Sequence, residues 1–140
     1  MQRPNDQLLF DPSMPANRSA SAPFTQTVRL QVDNKPIGRS TWHHAGESAM
    51  PGVVQIVDLT ILDPRHRRQG HGRRLLEAAI HQAALYSQTT PNPLRMVWLA
   101  VPHTQAIARA FLTQTGFHHV SSLKNLHPDQ EMLIYVRSLD

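Results

Sequence analysis

Cysteine is absent from the 140 residues, which removes disulfides, thiolate nucleophiles and Cys-based metal sites and suits a reducing cytoplasmic setting. Long apolar runs are absent too. No stretch approaches the roughly 20 apolar residues that span a bilayer, and Met1 to Phe10 lacks the basic-then-apolar layout of a secretory signal. A soluble cytoplasmic protein with no membrane partner is expected. Metal-ligand spacing is also missing: the nine histidines include the adjacent pairs His43-His44 and His118-His119, but no His-x-x-x-His and no mixed Asp/His cluster. Adjacent strand residues point to opposite faces, so surface or edge histidines are expected and no metal. Acid is lacking over one stretch. Arg65, Arg67, Arg68, Arg73 and Arg74 hold five of the 14 basic residues within a segment free of Asp and Glu, while the rest of the chain carries slightly more acid than base. Such a local cluster suits one compact anion better than the broad basic face of a nucleic-acid binder.

The length fits one domain with a real core. Residues 1–24 contain Pro4, Pro12, Pro15 and Pro23 among small polar residues and read as an irregular, Pro-rich N-terminal arm, with Leu8 to Phe10 able to dock on the domain formed by residues 25–140. From Thr25 the alternation of Val28, Leu30 and Val32, the turn "DNKP" and the run through Ile37 and Trp42 predict a hairpin. After a loop from Gly46 to Gly52, Val53 to Leu62 is rich enough in β-branched and aliphatic residues for a central strand, ended by Asp63-Pro64. The spacing Leu75, Leu76, Ala79, Ile80, Ala83 predicts a helix from Gly72 to about Tyr86. Leu94 to Val101 is a second central strand, Thr104 to Gln114 a helix stopped by Gly116, and Phe117–Leu123 and Met132–Val136 are two further strands. The expected order is β-β-β-α-β-α-β-β. The two central strands pair in parallel through a helical crossover, in an α/β fold. Trp42 and Trp98, each in an aliphatic strand, are expected in the core.

Gly70 and Gly72 stand where a strand gives way to a helix. Glycines there let the backbone approach a ligand, and the first N–H groups of the helix, at the positive end of its dipole, make an anion site. Nearby arginines can add charge-assisted bonds to phosphate. A P-loop is excluded because Gly72 is followed by Arg73-Arg74 rather than Lys-Ser/Thr, and a dinucleotide fingerprint because the third glycine is Leu75.

The segment Arg67-Arg68-Gln69-Gly70-His71-Gly72, after a strand ending in "LDP" and before a Leu-Leu helix, resembles the (Arg/Gln)-x-x-Gly-x-(Gly/Ala) loop of GCN5-related N-acetyltransferases (GNAT). "QAIARAFLTQTGF" is similar to the family's second motif, with Gln105 in the asparagine position and Ala108, Phe111, Leu112, Gly116 and Phe117 in step. The resemblance spans Thr27 to Val136. It implies a mixed, mostly antiparallel sheet with a splayed parallel pair and flanking helices, the N-terminal helices reduced or absent. It also implies acetyl-CoA as co-substrate, bound at Leu62, Arg67, Arg68, Gln69, Gly70, His71, Gly72, Arg73 and Gln105. The backbone of Arg68, Gly70, Gly72 and Arg73 would take the pyrophosphate, with Gln69, His71 and Arg67 around it. The Asp58–Leu62 strand edge would take the pantetheine, and the N–H of Leu62 or its neighbour the thioester carbonyl.

Two readings of Asp58 stand: a general base for the acceptor amine, or a structural pair with an arginine such as Arg39. The family's frequent general-acid tyrosine is Leu112 here, which leaves Tyr86, Tyr135 and His103 as weak substitutes. The expected reaction is acetyl transfer to a primary amine of a small molecule or protein in a ternary complex. The scarcity of acids beyond Asp58, Asp63 and Glu47 near the cleft disfavours polycations. About 24 residues are too few for the family's N-terminal strand and two helices, so the acceptor groove is open or a second copy in a homodimer walls it. The alternative is a catalytically weak GNAT-like module that binds CoA or contacts nucleic acid.

Overall fold

A computed structural model describes residues 6–14, 22–46, 49–62, 70–88, 90–127 and 130–139. The described elements are β1 (Asp6–Asp11), β2 (Phe24–Val32), β3 (Lys35–His44), β4 (Val53–Ile61), α1 (His71–Ser87), β5 (Met96–Pro102), α2 (Ala106–Gln114), β6 (His118–His127) and β7 (Gln130–Ser138). They form a seven-stranded sheet in the order β1-β2-β3-β4-β5-β7-β6. Every pairing is antiparallel except β4 with β5, so the fold is the expected GNAT-like α/β sheet.

One element differs from the sequence reading. Residues 6–11, within the arm read as irregular, are a strand paired with β2 from Asp6↔Val32 to Asp11↔Thr27. The prolines that lower the hydrophobicity of the arm flank this strand and leave its six residues free to pair. The connection from β1 to β2 is too short for two helices of ordinary length, about 11 residues each. Between β2 and β3, Asp33 and Asn34 both adopt positive φ, 51° and 65°, the left-handed pair that a tight hairpin turn requires.

The sheet is covered on one face. There Val28, Leu30, Trp42, Val54, Ile56, Val97, Leu99, Leu133 and Tyr135 meet the buried stripe Leu75, Leu76, Ala79, Ile80 and Ala83 of α1 in one core, which also takes Leu112 and Phe117. Helix α2 lies beside α1 on this side, since Arg73 reaches the Gln114 carbonyl at 3.4 Å and Arg109 reaches the Tyr135 hydroxyl at 3.3 Å. No described helix covers the opposite face, which carries Thr27, Arg39, Thr41, His43, Gln55, Asp58, Thr60 and Trp98.

The N-terminal segment is fastened to the covered side at three places. Arg74, in the first turn of α1, forms an ion pair with Asp6. Gln26 donates to the Pro12 carbonyl at 3.0 Å while accepting from the Trp42 indole at 3.0 Å. Tyr86, stacked 5.0 Å from Phe24, donates to the Ala22 carbonyl at 3.2 Å. The ion pair is asymmetric, with side-chain exposures of 1% for Asp6 and 27% for Arg74. Removing Arg74 takes a balancing charge from a buried carboxylate, whereas removing Asp6 leaves an arginine that can turn to water. Urea unfolding is therefore expected to show a larger loss for Arg74→Ala than for Asp6→Ala, which costs about 1–2 kcal/mol. Equal losses would contradict this account of the pair.

Candidate acetyl-donor and acceptor site

The site begins where β4 and β5 part. Their parallel register holds for only three pairs, Val53↔Met96, Val54↔Val97 and Gln55↔Trp98, and the closed end is pinned by the Gly52 carbonyl, which accepts from Arg95 and Met96 at 2.9 and 3.2 Å. Immediately beyond, β4 carries a bulge: Thr41 faces Asp58 but Trp42 faces Ile56, so Val57 is the extra residue. A bulge bends its strand and deepens the local twist. From there β4 follows β3, β5 follows β7, and a V-shaped gap opens toward their C-terminal ends.

The ladder decides which backbone groups face this gap. Leu62 donates its N–H to the Ile37 carbonyl at 2.8 Å, on the β3 side. Groups two residues apart in a strand point the same way, so Thr60 also turns to β3 while Leu59 and Ile61 turn into the gap. Of the two expected donors, Leu62 or its neighbour, the N–H of Leu62 is committed to β3, and that of Ile61 turns into the gap. Leu62 still offers an exposed side chain at the rim.

Both following helices begin at the open end of the V. Gly70 caps α1 in the left-handed conformation, φ 82°, with no side-chain cap and no acid in the first turn. The first intrahelical bond at this end runs from Arg74 N–H to the Gly70 carbonyl at 3.0 Å, so the N–H groups of His71, Gly72 and Arg73 point out of the helix. Their dipole end suits an anion. Gln105 caps α2 without a side-chain bond and is exposed at the end of β5. Its amide has no competing role in the cap.

The remaining predicted residues divide. Arg65, Arg67, Arg68 and Gln69 lie outside the described residues, as do Glu47 and Asp63. His71 is 2% exposed, and its backbone N–H is one of those at the helix start. Arg73 is exposed beside the helix terminus. Arg74, a member of the basic cluster, is held by Asp6.

Asp58 lies on the uncovered face with both carboxylate oxygens engaged: Arg39 Nε donates at 2.6 Å and Thr60 Oγ1 at 2.7 Å. That is the ion-pair alternative of the sequence reading. Leu112, in the place of the expected tyrosine, is buried in the core. Tyr86 sits in an aromatic nest with Phe24, Trp42 and His44, away from the gap. The Tyr135 hydroxyl accepts from Arg109, and His103 accepts from the same arginine through its carbonyl at 3.1 Å.

The histidine pair splits as strand alternation requires. His44 is buried, its Nδ1 accepting from Gly46 N–H at 3.0 Å, while His43 stands on the open face bonded to Thr25 at 2.7 Å. There it joins Trp98, which is half-buried at the edge of the gap rather than in the core. Sequence reasoning missed this grouping because a tryptophan in an aliphatic strand reads as core. Among the described residues no cluster of His, Asp and Glu could hold a metal, and no helix is long and apolar enough to cross a membrane.

The sequence model of the acetyltransferase (GNAT) family matches residues 3–117. The chain belongs to the GNAT acetyltransferase family. The match begins inside the N-terminal arm, in keeping with β1 as part of the GNAT sheet. Three solved structures show the same fold. A GNAT-family acetyltransferase described as putative, from Desulfovibrio desulfuricans, is 19% identical with a TM-score of 0.69, covering 83% of this chain and 70% of that one. Nourseothricin acetyltransferase is 18% identical at 0.68, covering 83% and 66%. Naa50 of Arabidopsis thaliana, in complex with the bisubstrate analogue CoA-Ac-MVNAL, is 19% identical at 0.65, covering 80% and 72%. None of the curated proteins compared with the chain matches it. Acetyl-CoA is the donor in GNAT enzymes, and amine-bearing molecules, peptides among them, are the acceptors.

The two glycines of this GNAT loop have different work. A side chain at Gly70 would meet nothing within 4 Å, but its φ of 82° disfavours any L-residue, whereas a Cβ at Gly72 would make an ordinary 3.5 Å contact with Phe111. Gly70→Ala is expected to cost about 1–2 kcal/mol and to weaken acetyl-CoA binding at least tenfold in calorimetry. Gly72→Ala should bind within about threefold of the parent, as an ordinary contact costs little. Equal effects of the two substitutions would refute this division.

Proposed function

We propose that this GNAT chain transfers the acetyl group of acetyl-CoA to a primary amine by direct attack in a ternary complex. The observation that carries the reading is the unpaired inner edge of β4, opening beside the uncapped N-terminus of α1. Amides of an extended ligand can bond that edge as an added strand would. A pyrophosphate is accommodated by the N–H groups of Gly72 and Arg73, with the Arg73 side chain and Gln105 as further ligands. The Arg67–Gln69 segment leads into the same helix start and is assigned to the same anion.

When bound, acetyl-CoA supplies an activated carbonyl with a thiolate leaving group. The amine nitrogen attacks that carbon, the C–N bond forms and the C–S bond breaks. The nitrogen loses one proton and the departing thiolate gains one, giving the acetylated amine and free CoA. The N–H of Ile61 is placed to stabilise charge gathering on the carbonyl oxygen. The covered side is closed by α1, so the amine arrives from the uncovered face.

Asp58 lies on that face, and its bonds to Arg39 and Thr60 favour a structural over a proton-accepting role. In this reading the amine reacts as its neutral fraction and its proton passes to water. A CoA thiol, with a pKa near 8.5 by analogy with cysteine, leaves without a tyrosine at position 112. Nothing in this scheme requires nucleic acid.

Calorimetry with acetyl-CoA followed by a thiol-release assay over amines and peptides tests the function. Saturable binding with acceptor-dependent CoA release is expected. Binding without release would leave a CoA-binding module, and no binding would refute the reading. Within the same assay Asp58→Asn should lower kcat/KM less than tenfold and leave the shape of its pH profile unchanged. A loss of about 10² to 10⁴ with an altered acidic limb would instead make Asp58 the general base.

A further inference from the structure

On the uncovered face, at the closed end of the V, His43, Ala45, Met50, Val53, Gln55 and Trp98 line a shallow cavity that is open to solvent. Its position follows from the sheet register. His43 pairs with Gln55 across β3 and β4, and Gln55 with Trp98 across β4 and β5, so three adjacent strands supply neighbouring side chains on one face. Gln55 is the last β4 residue paired to β5, and the bulged Val57, 48% exposed, comes two residues later. Two strand residues span about 7 Å. The cavity therefore adjoins the point where the gap opens, on the side from which an amine reaches it.

The chemistry of the lining is one-sided. Met50, Val53, Ala45 and the Trp98 ring are apolar, His43 and Gln55 are hydrogen-bonding groups, and no described acid lines the cavity. His43 already shares a bond with Thr25. The acid of this face, Asp58, lies beyond the bulge and is paired with Arg39. An apolar substituent would exchange water for methionine, valine and indole surface, and no described side chain of the lining offers a carboxylate to a cationic one.

We propose that this cavity is the acceptor-side subsite and that it selects primary amines carrying an uncharged, apolar substituent next to the amine-bearing carbon. This rests on the acetyl-transfer reading above. The same chemistry occurs in a free amine and at the amino terminus of a peptide beginning with an apolar residue.

The test compares leucinamide, methioninamide, lysinamide and aspartamide, and pentapeptides beginning with leucine or lysine, as acceptors in the thiol-release assay, with acetyl-CoA affinity measured in parallel. Apolar acceptors are expected to exceed lysine and aspartate counterparts by roughly 10 to 200-fold in kcat/KM, the discrimination available to an apolar pocket. The amides and the peptides separate a small-molecule acceptor from a polypeptide one. Met50→Glu, at an exposed turn position, should lower kcat/KM for leucinamide at least tenfold, chiefly through KM, raise it for lysinamide, and leave acetyl-CoA affinity unchanged. Trp98→Leu should shift preference toward bulkier apolar amines. Transfer that favours lysinamide in the parent, or is indifferent to Met50→Glu with acetyl-CoA still bound, overturns the subsite and leaves the acetyl-transfer reading intact. Failure of acetyl-CoA to bind overturns both.

Discussion

Two parallel strands that share a hydrogen-bonded start and then diverge leave a row of peptide groups on each inner edge with no strand to bond. In this chain the shared start is three residue pairs long and the divergence follows at the Val57 bulge. Those groups must be satisfied by water or by a ligand that offers amides of its own. The starts of α1 and α2 lie at the same open end, so a strand edge with no described strand partner and the first N–H groups of a helix converge. The proposed donor recognition by backbone is built on this geometry, with side chains as supplements.

The reduced N-terminal region shapes the opposite side of the site. The strand β1 extends the sheet, and the sequence between it and β2 is too short for two helices of ordinary length. Arg74–Asp6, Gln26–Pro12 and Tyr86–Ala22 fasten this region to the helix-covered face. The first of these ties the edge of the sheet to the first turn of α1. No described helix covers the other face, which carries side chains of β3, β4 and β5.

Much of the proposed donor site was legible in sequence because its parts are local. A strand, two glycines and an amphipathic helix adjoin one another, and the second motif keeps its internal spacing through Gln105 and Phe117. What was not legible depends on pairing between distant segments. Arg74 read only as one more member of the basic cluster because its partner Asp6 is 68 positions away. β1 was hidden between prolines, since only pairing with β2 marks it as a strand. The difference between Leu62 and Ile61 is a one-residue matter of register, and a one-residue change turns every peptide group to the opposite edge. Trp98 has the neighbours of a core residue in sequence, yet its side chain falls on the face that no described helix covers.

The central claim is that acetyl-CoA adds to the inner edge of β4 and to the first turn of α1 through backbone amides. Titrating the isotope-labelled protein with acetyl-CoA and following backbone amide resonances measures this most directly. The account predicts large, saturable shifts at Leu59, Ile61, Gly72 and Arg73, with slowed amide exchange at Leu59 and Ile61 and little change at Leu62, which is already bonded to Ile37. Shifts confined to the exposed arginines, or slowed exchange at Leu62 in place of Ile61, would contradict it.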